Sequence, residues 1–307
     1  MELEIKTFVL KSEMDGLDLA VASSSPESPK AVIQLVHGMC EHKERYYSLM
    51  QYLGSRGFAC VIHDHRGHGG SVKSADGLGY FYDGGWKAAV EDVHLVTLWA
   101  KKEFPDIPFF LFGHSMGSMI VRTYTKTHDD ELSGLVVCGS PSYNPAAWAG
   151  QFLARLCCIF AGGHSRPKLL QKLSFGSFNK AFPDAKSPNS WVCSDEDVVT
   201  LYDADPLCNY SFTANGFYNL FALVRETYSK KGWKLTNPEL PIHFMAGEDD
   251  PCITSVSKFG EAVDFMRRAG YRHVTSCLYP GLRHEIHNEK TKAGVWKDLA
   301  DRIESWI

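Results

Sequence analysis

The sequence has no stretch of 18 uninterrupted apolar residues, which excludes an ordinary transmembrane helix. Residues 1–10 alternate charged and apolar side chains and lack the continuous apolar segment of a secretory signal. There is no excess of either charge. Thirty-two Lys and Arg stand against 36 Asp and Glu, so electrostatics give no reason to expect a nucleic-acid partner. Internal repeats and low-complexity tracts are also missing, and the 26 glycines and 14 prolines are scattered. Nor is there a framework of paired cysteines. Nine is an odd number, and residues such as Cys60, Cys138 and the Cys157-Cys158 pair lie in apolar runs. Reduced thiols in a cytoplasmic protein are the expectation.

What is present is a large apolar fraction, 44% of 307 residues, enough for one extensive core carrying an insertion. Residues 3–10 and 17–22 alternate like strands around Asp15-Gly16 and predict a hairpin at an antiparallel sheet edge. Strand and helix then alternate. Strands are predicted over Ala31 to Val36, Phe58 to Ile62, Ile107 to Phe112 and Leu132 to Cys138. Between them, Tyr46, Leu49, Met50 and Leu53 mark one helix stopped by Gly57, and Trp86 to Ala100 a longer one before Pro105. From Tyr143 to Pro238 no buried strand is apparent. Pro241 to Ala246 and His273 to Tyr279 resume the series, and Trp296, Leu299, Ile303 and Trp306 stripe a final helix. This pattern predicts an α/β fold, a mostly parallel sheet covered by helices on both faces. Residues 1–142 and 239–307 are expected to form the core, and 143–238 an inserted helical cap.

The chain is organised around Phe109 to Gly117, where an apolar strand runs into Gly113-His114-Ser115-Met116-Gly117 and then into a helical pattern. Gly-x-Ser-x-Gly between strand and helix is a nucleophile elbow: the turn is so sharp that a side chain at either glycine would strike neighbouring backbone. A serine hydroxyl needs an imidazole to take its proton, and the imidazole needs a carboxylate to orient it. Chain order places the acid after a later strand, at Asp249 or Asp250. Asp250 is favoured, because it stands directly before Pro251 where a turn can aim it across the sheet edge. The base follows the last strand, at His284, with His287 as a surface or supporting residue. His284 and His287 do not make a His-Glu-x-x-His metal motif, since residue 288 is Asn. Two backbone amides, those of Met39 and Met116, are expected to hold the oxyanion. The dense His63-Asp64-His65-Arg66-Gly67-His68-Gly69 segment reads as a tight loop beside the active site rather than a metal cluster. Trp148, Phe152, Leu156 and Phe160 recur every four residues. Ordinarily such a row packs a helix on its own core; in a cap above the serine it could instead line an apolar channel, with Trp148, Phe152 and Leu156 as substrate-binding candidates, or touch lipid.

With these segments placed, the chain resembles the α/β-hydrolase superfamily and, within it, the monoacylglycerol lipase and lysophospholipase group. His37-Gly38-Met39-Cys40-Glu41-His42 with Arg45-Tyr46 is similar to that group's His-Gly-x-x-Glu-His-x-x-Arg-Tyr segment. His63 to Gly69 with Ser71 is similar to its His-Asp-His-x-Gly-His-Gly-x-Ser loop, and Gly113 to Gly117 matches its nucleophile motif. Asp205-Pro206-Leu207-Cys208 also resembles a segment of the lipases. The resemblance implies Ser115, Asp250 and His284 as triad, Met39 and Met116 as oxyanion donors, and hydrolysis of single-chain acylglycerols or lysophospholipids without a cofactor. Peripheral membrane contact through the cap is compatible with that activity. Short-chain esterases and proline-type aminopeptidases use the same triad, and a silent ligand-binding homologue would keep the fold without turnover. Cys40 stands where the lipases often have glycine, Ser118 replaces a second glycine, and residues 143–195 do not align.

Overall fold

The computed structural model describes residues 3–307. The chain opens with an antiparallel hairpin, β1 (Lys6–Lys11) and β2 (Asp18–Ser24), whose turn contains Gly16 at φ 68°. Then follow β3 (Ala31–Val36), α1 (Tyr47–Ser55), β4 (Phe58–His63), α2 (Gly85–Glu103), β5 (Phe109–His114), α3 (Met116–His128) and β6 (Gly134–Cys138). After β6 come α4 (Ala147–Ala161), α5 (Lys168–Phe175), α6 (Glu196–Ala204) and α7 (Ala214–Thr227), with no strand among the described residues of this segment. The alternation resumes with β7 (Ile242–Gly247), α8 (Val256–Ala269), β8 (Val274–Tyr279) and α9 (Lys292–Glu304).

The eight strands form one sheet in the order β1-β2-β4-β3-β5-β6-β7-β8, parallel from β4 to β8. The sheet is apolar on both faces because successive strand residues point to opposite sides. Phe109 and Leu111 of β5 pack with Val93, Ile120 and Phe259 of α2, α3 and α8, whereas Phe110 and Phe112 pack with Leu49 and Ile303 of α1 and α9. β5 starts two residues later than the periodicity suggests. Pro108 lacks an N–H for the ladder, but its carbonyl still accepts from Val32 at 2.9 Å.

Two kinds of contact hold the helical segment over the sheet's C-terminal edge. α7 packs on α3 and α2 of the core, and α4 lies closely along α7, because a Cβ at Gly150 would lie 2.8 Å from the Phe221 ring. Residues 190–194 instead lie along the loop 283–289. The Glu285 N–H donates to the Val192 carbonyl at 2.8 Å, Arg283 donates to the carbonyls of Ser190 and Cys193, and the Ser194 N–H donates to Glu289 at 2.9 Å.

Candidate active site

At the end of β5 the chain turns into α3 through Ser115, whose φ of 52° and ψ of −117° are strained for any residue with a Cβ. The surroundings enforce the turn. A Cβ on Gly117 would strike the carbonyls of Val36 and His37, and one on Gly113 would lie 2.6 Å from the Gly117 carbonyl. The Ser115 N–H donates to the Cys138 carbonyl at 2.9 Å, pinning the elbow to β6. Ser115 thus sits at the N-terminus of α3, where helix amides favour developing negative charge.

The structure brings His284 to Asp250. Nδ1 of His284 lies 2.9 Å from Oδ2 of Asp250 and both residues are buried, while Asp249 is exposed. The other Asp250 oxygen accepts the Cys252 N–H at 2.8 Å, so the Asp-Pro turn holds the carboxylate in place. Burial works against the charged imidazole of His284. The charge and hydrogen bond of Asp250, helped by Glu285 and Glu41, outweigh it and raise the pKa above its ordinary value. Ser115 and His284 face one cavity, but among the described residues no hydrogen bond joins them, and the Cys252 Sγ lies 3.9 Å from His284 Nε2. Catalytic hydrogen bonds of this kind commonly tighten only when substrate binds.

Met39 and Met116 line the same cavity beside Ser115, and neither amide has a partner among the described residues. The loop carrying Met39 is braced from behind. His37 Nε2 accepts the His65 N–H at 3.0 Å, the His65 ring donates back to the His37 carbonyl at 2.9 Å, and the His37 Nδ1 lies 2.8 Å from the Gly38 carbonyl. The histidine-rich segment after β4 therefore serves as a buttress for the 37–39 loop. Cys40, at φ 54°, adopts the left-handed conformation that glycine would take without strain, and its thiol reaches the Tyr210 carbonyl at 3.2 Å.

The cavity above Ser115 measures about 1090 Å³ and is walled by Leu153, Leu170, Phe175, Trp191, Leu220, Phe221 and Val224. This corrects one expectation. Trp148 and Phe152 are 64% and 59% exposed, and with Leu156 they stand off the cavity wall, to which α4 presents Ala149, Gly150 and Leu153 instead. The small residues of α4 permit its close approach to α7, which turns the bulky row outward. His287 is also not a surface residue: it is buried, stacks on Tyr46 at 5.0 Å, and burial followed by the neighbouring His114 charge lowers its pKa to about 3.

Sequence reasoning missed the buried polar residues behind the elbow. Glu41 accepts from the Gly38 N–H, from Tyr46 at 3.1 Å and from Arg45 at 3.3 Å, and lies 3.0 Å from His114 Nδ1. Arg45 in turn makes a bidentate pair with Glu285 at 2.6 and 2.7 Å and stacks over Tyr202 of α6. The sequence signalled Glu41, Arg45 and Tyr46 only as parts of the segment that resembles the lipases, with nothing to pair them with His114 or Glu285. Glu41, His114 and His287 have donor atoms close enough for a cation, as do Asp250, Cys252 and His284, but most of these donors are already engaged and Arg45 lies against Glu41.

A doubly covered, mostly parallel sheet with a strained Gly-x-Ser-x-Gly elbow at its C-terminal edge and a buried Asp–His pair on the following loops defines an α/β-hydrolase. The profile of the family described as "Serine aminopeptidase, S33" matches residues 27–291, and the chain belongs to that family. It is 30% identical over 279 residues to a monoacylglycerol lipase of Mycolicibacterium smegmatis, covering 91% of this chain and 88% of that protein. The monoglyceride lipase of Mus musculus is 28% identical over 287 residues, covering 91% and 83%. A thermostable carboxyl esterase from Bacillus coagulans, solved in complex with glycerol, superposes with a TM-score of 0.89 at 27% identity over 98% of both chains.

Proposed function

We propose that the protein hydrolyses single-chain lipid esters, monoacylglycerols or lysophospholipids, through an acyl-enzyme on Ser115. The observation that carries this reading is the large, mainly apolar cavity standing directly over Ser115 and His284. Ser115 Oγ attacks the ester carbonyl while His284 Nε2 takes its proton, and the amides of Met39 and Met116 hold the oxyanion. Collapse breaks the bond to the alcohol, which leaves with the proton from His284. Water, activated by the same imidazole, then releases the fatty acid. Asp250 holds the His284 tautomer and stabilises the imidazolium. No step calls for a cofactor.

The related monoacylglycerol lipases and the esterase support the reaction class. An aminopeptidase would need a carboxylate to bind the substrate's ammonium group. Among the described cavity-lining residues the acids are Glu41 and Glu285, and both are paired with Arg45. Residues 143–238 act as the cap on a core of 1–142 and 239–307. The outward row of Trp148, Phe152 and Phe160, with Ile159, Leu169 and Leu173 also exposed, suits peripheral contact with a lipid surface from which substrate is drawn. No helix among the described residues is long and apolar enough to cross a membrane, and all nine cysteines are free, which fits a reducing, cytoplasmic setting.

The test is the specificity constant on monoacylglycerols of increasing chain length, alongside labelling by a serine-directed phosphonate. A rise toward long chains and labelling of Ser115 are expected. A maximum at the shortest chain would make the protein a short-chain esterase, and absence of labelling would remove the serine mechanism.

A further inference from the structure

Trp191 belongs to the helical segment, and its ring stands beside the imidazole of His284, with ring centres 5.1 Å apart and planes tilted by 43°. The main chain arranges this meeting. Ser190 and Val192, on either side of Trp191, offer their carbonyls to Arg283 and Glu285, on either side of His284. Arg283 Nη1 donates to the first at 2.6 Å and the Glu285 N–H donates to the second at 2.8 Å. Residues 190–192 and 283–285 are thereby held in register, and the indole and the imidazole meet between the two bonds. The indole is itself braced. It stacks on Phe175 with the planes 13° apart and the centres 6.2 Å apart, and it meets the Phe178 ring edge-on at 4.9 Å. The Trp191 N–H donates to Asn179 Oδ1 at 3.0 Å. Aromatic pairs in such arrangements attract one another beyond the burial of their area, so the indole has little freedom to turn.

His284 needs such a wall. Asp250 holds its ring at one point, Nδ1, while Nε2 has no closer partner among the described residues than the Cys252 Sγ at 3.9 Å. A ring fixed at one corner can swing about that corner, and Nε2 on its other side swings with it. Packing therefore has to set where Nε2 points. His114, at the end of β5, packs against the ring with centres 4.7 Å apart, and Trp191 supplies the contact from the helical segment. The demand is strict, because a misplacement of about 1 Å in a reacting group can cost about 10²-fold in rate.

We infer that Trp191 is a positioning residue for the proposed ester hydrolysis, which fixes the His284 ring from the cap so that Nε2 meets the Ser115 hydroxyl. The cap then completes the reacting centre as well as walling the cavity. Residues 190–192 bring the indole, and the bonds to Arg283 and Glu285 make its position depend on the same loop that carries the imidazole. This inference rests on Ser115 and His284 being nucleophile and base.

The test compares the intact wild-type protein with Trp191→Ala and Trp191→Phe on an acetyl ester, chosen so that the substrate touches little of the cavity wall. Trp191→Ala should lower kcat about tenfold or more with KM within about twofold, and Trp191→Phe should restore most of kcat. Proton NMR supplies a second readout. The His284 Nδ1–H, bonded to Asp250, should give a low-field resonance in the wild type and in Trp191→Phe that broadens in Trp191→Ala. An unchanged kcat in Trp191→Ala, with or without a raised KM, would leave Trp191 as cavity wall alone and overturn the inference, as would an unaltered resonance. If Trp191→Ala does not fold, Trp191→Leu takes its place with the same outcomes. Failure of the wild-type protein to react with a serine-directed phosphonate would strike the serine mechanism instead, so the two failures are distinguishable.

Discussion

Asp250 Oδ2 lies 2.9 Å from His284 Nδ1 in a buried pair, while the neighbouring carboxylate of Asp249 is exposed. Asp250→Asn should therefore lower kcat by about 10⁴-fold, the scale seen when a triad acid is replaced by an amide that favours the wrong tautomer. Asp249→Asn should leave it within about twofold. Steady-state kinetics of the two variants decides the assignment, and the reverse order would place the acid at Asp249.

The same pair sets the pH dependence. In the proposed mechanism only neutral His284 accepts the serine proton, and burial is outweighed by Asp250 so that its pKa lies above the ordinary 6.5. Activity is thus present at high pH and falls as pH drops through that raised value. A pH profile of kcat/KM should show an acid limb with its midpoint above 6.5, and a rate flat from pH 8 to pH 5 contradicts the role of His284.

Gly38→Ala tests the oxyanion loop. The added Cβ would lie 2.6 Å from a Glu41 oxygen and 2.9 Å from the Ser115 Cβ, so the loop must shift and carry the Met39 amide with it. Loss of one oxyanion donor costs about 10² to 10³ in kcat. The variant should show that loss with KM little changed, and full activity would remove the Met39 amide from the mechanism.

Stability should fall in mild acid. Burial lowers the pKa of His63 to about 3, with Arg66 adding to it, and that of His68 to about 4 against the smaller upward pull of the Arg66 carbonyl and Glu41. His287 is held near 3 by burial and then by His114. Such residues stay neutral in the folded protein but take up protons when unfolded below pH 6.5. The unfolded state then binds more protons, and each residue removes about 2 kcal/mol of stability by pH 5. His284 has the opposite sign, since its folded pKa is raised and its contribution is lost as pH rises, but it is one residue against several. Melting temperature should drop markedly between pH 8 and pH 5, and calorimetry showing no drop would mean that these rings are already charged.

The two faces of α4 should separate chain-length selectivity from membrane contact. Leu153→Trp fills the cavity and should shift the optimum on monoacylglycerols to shorter chains. Phe152→Ser, on the exposed face, should weaken sedimentation with vesicles while leaving kcat/KM on a soluble short-chain ester within about twofold. If Phe152→Ser alters chain-length selectivity and Leu153→Trp does not, the assignment of faces is reversed.

Much of the fold was legible because a doubly covered sheet leaves a simple trace. β3 was readable to the residue, and β5 was identifiable from its apolar run into Gly113. The choice of His284 over His287 rested on chain order and turn chemistry, which are local. What escaped was long-range. Glu41 and Arg45 stand in the segment that resembles the lipases, but nothing local shows that Glu285, 240 residues after Arg45, is brought beside them. Of the roles open to the α4 row, lining the channel is the one the structure overturns, because helical periodicity shows that two faces differ but not which faces inward. Here the small face won, because close packing on α7 needs Gly150 and Ala154.

The hydrogen bonds between residues 190–194 and the loop 283–289 divide the proposed cap into a frame and an exchangeable panel. The 190–194 segment is stitched to the loop that carries His284, and changes there would reach that imidazole directly. The panel formed by α4 and α5 walls the cavity through Leu153 and Leu170 without touching that loop through any hydrogen bond among the described residues. New acyl selectivity can therefore be grafted by transplanting residues 147–175 from a relative, with 190–194 kept native so that the donor brings its pocket but not a foreign setting for the imidazole.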